Sequence, residues 1–246
     1  MNMLICLLLV LALAALGEGR TFVFENQRGE TIWVGALGNA GVAPPNGGGW
    51  EMAAGSSLTL ELDDAWAGRF WGRTGCSFDA SGSGTCQTGD CGGVLQCNGA
   101  GGVPPVTLAE VTLGGYGGND YYDISLVDGF NIPVTMTPTD VSGGGDHYSC
   151  NPATCPANVN AQCPAELQQV VNGAVVACKS ACLAFNTDQY CCRGAYGTPD
   201  TCQSTTWPTN YPAFFKGLCP DAYSYAYDDV ASTFTCSNTG YRITFS

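Results

Sequence analysis

Positive charge is scarce in this 246-residue chain. Eight Lys and Arg face 21 Asp and Glu, a formal net charge of −13. So acidic a surface repels nucleic acid and anionic lipid, which select basic partners, and suits a neutral polysaccharide better. Histidine is reduced to His147, which excludes multi-histidine metal sites and leaves a His-based triad this residue alone; within Ser142-Gly-Gly-Gly-Asp-His it reads as a loop residue, which argues against that role. No Asn-x-Ser/Thr acceptor exists, so N-glycosylation is not expected. After Leu16 there is no apolar run long enough to span a membrane.

The one apolar run, Leu4–Leu16, is short for a transmembrane helix and is followed by Gly17, Glu18 and Gly19. It reads as a signal peptide over residues 1–19, despite lacking Lys or Arg at its start. The expected product is a secreted, extracellular chain with no stable membrane insertion. Removing the leader removes Cys6 and leaves fourteen of the fifteen cysteines, an even number that an oxidising compartment can pair completely.

Cysteine and glycine are what the chain has in abundance. In Gly82-Ser-Gly-Thr-Cys86-Gln-Thr-Gly-Asp90-Cys91-Gly-Gly-Val-Leu-Gln-Cys97, spacings of five and six residues allow only local staples, with glycines supplying the tight turns. Zinc would call for Cys-x2-Cys knuckles or histidine partners, and this run has neither. No metal and no cofactor is expected.

Short strands separated by glycine-rich turns run from Thr21 to about Pro138. They are Thr21–Glu25, Thr31–Val34, Leu58–Leu62, Arg69–Arg73, Val106–Leu113, Asp120–Val127 and Ile132–Met136. Leu58-Thr-Leu-Glu-Leu62 alternates strictly, giving one buried and one wet face. Ser232–Cys236 and Tyr241–Phe245 return to the same body. Many short strands argue for a mainly β, antiparallel sandwich. From Cys150 to Cys219 the cysteines crowd and strand alternation fades. Pro164-Ala-Glu-Leu reads as a helix start, and Leu167, Val171, Ala174, Cys178, Ala181, Cys182 and Phe185 keep a helical period that Gly173 can interrupt. This second lobe is expected to hold a short helix, and vicinal Cys191 and Cys192 to take different partners.

Together with the cysteine run, Pro104-Pro-Val-Thr-Leu-Ala-Glu110, Asp120-Tyr-Tyr-Asp-Ile-Ser-Leu-Val-Asp128-Gly-Phe-Asn131, Tyr190-Cys-Cys192 and Cys219-Pro-Asp-Ala-Tyr-Ser-Tyr225 resemble the thaumatin-like proteins of the pathogenesis-related, thaumatin and osmotin type. The resemblance covers residues 21–246. It implies a sandwich over about 20–149 and 220–246, a disulfide-rich lobe over about 150–219, a small third lobe, and an acidic cleft. It also implies the pairs Cys76–Cys86, Cys91–Cys97, Cys150–Cys236, Cys155–Cys219, Cys163–Cys178, Cys182–Cys191 and Cys192–Cys202. Most members carry two further cysteines where this chain has Arg28 and Ser246, which removes a staple between the chain ends and makes fraying there an expectation.

The resemblance places Arg69, Glu110, Asp123, Asp128 and Asp228 in the cleft as substrate-binding residues. Each acid alone reads as a solvated surface group, and Asp128 before Gly129 as turn chemistry. As a set, neighbouring carboxylates raise one another's pKa, so that one stays protonated while another ionises, the division glycoside hydrolysis needs. Glu110 is the expected acid, Asp128 the second carboxylate, and Asp123 the alternative to it. Tyr121 and Tyr122 read equally as sugar-stacking platforms or sandwich core. The implied function is a secreted, monomeric, antifungal-type defence protein whose cleft binds fungal-wall β-1,3-glucan, either alone or with weak endo-β-1,3-glucanase turnover. The alternative is a non-enzymatic structural or inhibitory protein, such as a hydrolase inhibitor or a wall- or membrane-perturbing antifungal. Sweet-receptor binding is set aside, because sweet members are strongly basic.

Overall fold

A computed structural model describes residues 19–141 and 145–246. Residues 1–18, all but the last residue of the expected signal peptide, lie outside the described residues. Two sheets face each other. The first runs, in spatial order, β11 (Ala153–Cys155), β10 (Val134–Pro138), β15 (Tyr241–Phe245), β1 (Arg20–Asn26) and β4 (Ser57–Leu62). The second runs β14 (Phe234–Cys236), β9 (Asp120–Ser125), β8 (Leu108–Thr112), β5 (Ala67–Arg73), β2 (Ile32–Gly38) and β3 (Gly49–Met52). Alternate residues point inward along each strand, so Phe22 and Phe24 of β1 meet Phe70 of β5 across the core. Phe24 and Phe70 make an edge contact at 5.0 Å, and Trp66 stacks on Phe70 at 4.8 Å.

The sandwich is not wholly antiparallel. β1 and β15 pair in parallel, with Phe22 opposite Tyr241 and Asn26 opposite Phe245. A parallel pair needs a long crossover, and here nearly the whole chain serves as one. The same pairing holds the chain ends together. Gln27 N–H donates to the Phe245 carbonyl at 2.8 Å, and Arg28 Nη1 donates to the Ser246 carbonyl at 3.1 Å. The two positions without cysteine are therefore joined by polar contacts.

The outer face of the second sheet carries a small disulfide-closed unit. It contains β6 (Ser77–Phe78) and β7 (Gly84–Thr85), with disulfides Cys76–Cys86 and Cys91–Cys97. Trp71 and Arg73 of β5 point outward into it and are fully buried. Trp71 Nε1 donates to the Gly89 carbonyl at 2.8 Å. Arg73 donates to the carbonyls of Val34, Val94 and Leu95 at 3.0, 3.0 and 2.7 Å, stitching the unit to the sheet. Its burial lowers the guanidinium pKa to about 10, partly offset by Asp90. Gly35 is obligatory beneath this unit, since a Cβ there would stand 2.2 Å from the Trp71 ring.

The second lobe departs from the helical reading. Residues 165–167 form a single 3-10 turn, and the chain then makes a hairpin, β12 (Gln168–Val171) and β13 (Ala174–Cys178). Asn172 and Gly173 connect them at φ 51° and 82°, the two left-handed residues that a tight hairpin turn requires. Gly173 thus turns a hairpin rather than interrupting a helix. Helix begins only at α1 (Ala181–Phe185), where the Ser180 side chain accepts from Leu183 N–H, and a second helix, α2 (Tyr211–Leu218), follows. Disulfides Cys163–Cys178, Cys182–Cys191 and Cys192–Cys202 close this lobe. Cys150–Cys236 and Cys155–Cys219 fasten it to the sandwich.

Candidate functional site: an acidic cleft on the second sheet

Residues 69, 110 and 123 stand in one cross-strand row. Arg69 of β5 is opposite Glu110 of β8, and Glu110 is opposite Asp123 of β9. Strand alternation sends their neighbours Phe70, Ala109 and Tyr122 into the core, so the three polar side chains must face outward. The small unit covers the same face at Trp71 and leaves this row uncovered. The row opens into a cavity of about 370 Å³, also lined by Ser125, Val127, Asp128, Tyr223 and Ala226.

Each wall has a local cause. Asp128 rides a turn in which Gly129 N–H donates to the Leu126 carbonyl at 2.9 Å, and Gly129 at φ 85° lies too near the Cys178 carbonyl to bear a side chain. The opposite wall is the segment around Tyr223, which lies beside the end of β9. Tyr223 N–H donates to the Ile124 carbonyl, and Leu126 N–H donates to the Tyr223 carbonyl, both at 2.8 Å. The Tyr223 hydroxyl meets Asp229 at 2.9 Å and Thr233 at 2.5 Å.

Arg69 Nε approaches Glu110 Oε1 at 3.7 Å but makes no hydrogen bond, and the buried Asp123 Oδ1 likewise has no partner. Burial raises the Glu110 pKa; Arg69 counters this and Asp128 adds to it. Asp123 is pushed well above the usual carboxylate range, first by burial, then by Glu110 and Asp229. Asp128 is raised by burial and held back by Arg69. The row therefore retains a proton under conditions where an exposed carboxylate has lost it.

Four of the five residues implied by the resemblance come together: Arg69, Glu110, Asp123 and Asp128. Asp228 does not line the cavity. Its carboxylate accepts from Ser224 N–H and Oγ at 3.0 and 2.7 Å and pairs with Lys216 at 3.1 Å. Asp229 is the acid that reaches Tyr223 and acts on Asp123. Tyr122 is core, wholly buried, and Tyr121 is outside the cavity lining, so Tyr223 is the aromatic residue there. Neither acid of Tyr-Asp-Asp lines the cavity, and that tripeptide alone does not reveal which of the two meets Tyr223. No cluster of three or more metal-ligating side chains occurs among the described residues.

Residues 26–246 match the Thaumatin family. The chain belongs to that family. "Pathogenesis-related protein 5" of Arabidopsis thaliana is 56% identical over 225 residues, covering 91% of this chain and 89% of that one. "Glucan endo-1,3-beta-glucosidase" of Prunus avium is 50% identical over 228 residues, covering 92% and 89%. Among solved structures, a laminaripentaose-producing β-1,3-glucanase from Paenibacillus barengoltzii superposes with a TM-score of 0.61 at 15% identity, over 94% of this chain and 75% of that one. At that identity the likeness is one of fold. No helix among the described residues is long and apolar enough to cross a membrane.

Proposed function

We propose that the acidic cleft binds neutral β-1,3-glucan and that the protein acts outside the cell as a defence-type wall-binding protein. The observation that carries this reading is the Arg69–Glu110–Asp123 row opening, with Asp128, into one cavity. Protonated and ionised carboxyls side by side offer donors and acceptors to sugar hydroxyls without the net repulsion a charged polymer would meet. The name of the Prunus avium relative supports the choice of polysaccharide. Seven disulfides suit an oxidising compartment and hence secretion.

Turnover is the subordinate part of the reading. Glu110 is about a third exposed and can reach a ligand, whereas Asp123 Oδ1 is covered. Glu110 is thus the acid that delivers a proton to a glycosidic oxygen, Asp123 the neighbour that keeps the pair protonated, and Asp128 the second carboxylate. With Tyr223 as the aromatic lining residue, the cavity offers little stacking area for a long chain, and slow hydrolysis is expected.

Retention on insoluble β-1,3-glucan tests the reading. Glu110→Ala and Asp128→Ala should lose retention, while Glu51→Ala, on the exposed face of β3, keeps it. Equal retention by all three excludes the cleft. Sugar release that is the same for wild type and Glu110→Gln would leave binding without turnover.

A further inference from the structure

The largest cavity described, about 720 Å³, shares no lining residue with the acidic cleft. It lies where the sandwich meets the second lobe, and its chemistry is different. Its charged residues, Arg28 and Glu30, are paired at 2.5 Å, and Arg28 also serves the Ser246 carbonyl. The one cation of the groove is therefore already paired and leaves no free positive charge to hold an anion. No aromatic side chain lines it, while Ile132 and Val175 give it an apolar floor.

Its uncharged polar side chains are the amides of Gln87, Asn131, Asn158 and Asn160 and the hydroxyls of Thr74 and Ser246. Asn160 Nδ2 donates to the carbonyls of Asn131 at 2.9 Å and Val176 at 3.2 Å, which lashes the two walls together. Its Oδ1 is left buried without a protein donor. The Gln87 side chain lies against Gly75, where a Cβ would come within 2.6 Å of its Cδ. The side chains of Gln87 and Asn158 make no hydrogen bond among the described residues.

We propose that this groove is a second binding site, for a short neutral oligosaccharide. Carboxamides supply a donor and an acceptor together, which is what vicinal sugar hydroxyls require, and the apolar floor suits the C–H face of a pyranose ring. The volume is within the range of small-ligand sites. An anionic ligand would find no unpaired cation, and an aromatic one no stacking partner. The proposal stands whether or not the cleft binds glucan.

The test is amide chemical-shift mapping of the 15N-labelled chain with linear β-1,3- and β-1,4-linked glucose hexamers, and with glycerol as a control. At least one hexamer should produce saturable shifts at the Gln87 and Asn158 side chains and at Asn160 and Val175. The Gln87→Ala/Asn158→Ala variant, altered at two exposed positions, should weaken those shifts by roughly tenfold or more in apparent affinity, the expected cost of two neutral hydrogen bonds. Shifts at Glu110 and Asp128 should be unchanged by that variant. The proposal is overturned if neither hexamer moves the groove amides, if glycerol moves them equally, or if the variant leaves the groove shifts intact. A failure of the cleft reading would show instead as silent Glu110 and Asp128.

Discussion

Replacing Asp123 by Asn should stabilise the protein at neutral pH. Glu110 and Asp123 are register partners on adjacent strands, where Cβ atoms stand about 4.5–5.5 Å apart. Two ionised carboxylates at about 5 Å repel by roughly 3 kcal/mol at an effective dielectric of about 20. Glu110 is a third exposed and faces Arg69, so screening reduces this to about 1–2 kcal/mol. The sign follows from linkage. Asp123 titrates near 4 in the unfolded chain and well above that when folded. As pH rises through that window, the unfolded state releases a proton that the folded state keeps, and stability falls. Asn cannot ionise and removes the loss. Thermal unfolding, disulfides intact, should show Asp123→Asn melting about 2–8 °C above wild type at pH 7, with the difference vanishing below pH 4. A variant that is less stable at pH 7, or whose advantage persists unchanged at pH 3, would refute the shared-proton account of this row.

Arg73→Met should cost about 2–4 kcal/mol, because buried carbonyls of Val34, Val94 and Leu95 lose their donor; unfolding of the variant measures it. Gly35→Ala should cost about 1–3 kcal/mol by forcing Trp71 aside, read as a lowered melting temperature and altered tryptophan fluorescence. Lys216→Met should weaken glucan retention without touching the cleft. Lys216 Nζ joins Asp228 and the carbonyls of Pro220 and Ala231, and so anchors both ends of the segment that bears Tyr223.

The sandwich was legible wherever alternation was local. Leu58–Leu62 shows its two faces directly, and β15 falls on the expected Tyr241–Phe245. The parallel β1–β15 pair had no such signal, since its register joins residues more than two hundred positions apart. Residues 168–178 misled because Leu167, Val171, Ala174 and Cys178 recur at spacings of four, three and four, which is a helical period. The Asn172-Gly173 turn was the decisive local clue, and its chemistry outweighs the period. α2 is only eight residues, too short for periodicity to emerge, although Asn210 caps it and Pro212 opens it. In the cleft, the spacing of Glu110, Asp123 and Asp128 does not reveal that strand register aligns the first two. That Asp228 turns to Lys216 while Asp229 turns to Tyr223 follows from partners that meet these acids only in the folded chain.

The central claim is that the cleft carboxylates bind β-1,3-glucan, and titration calorimetry with a soluble, linear β-1,3-linked glucose hexamer tests it most directly. Wild type should bind the hexamer, and Glu110→Ala/Asp128→Ala should bind at least roughly tenfold more weakly at the cleft, the cost of two charge-assisted contacts. An isotherm for the double variant that superimposes on that of wild type would contradict the claim.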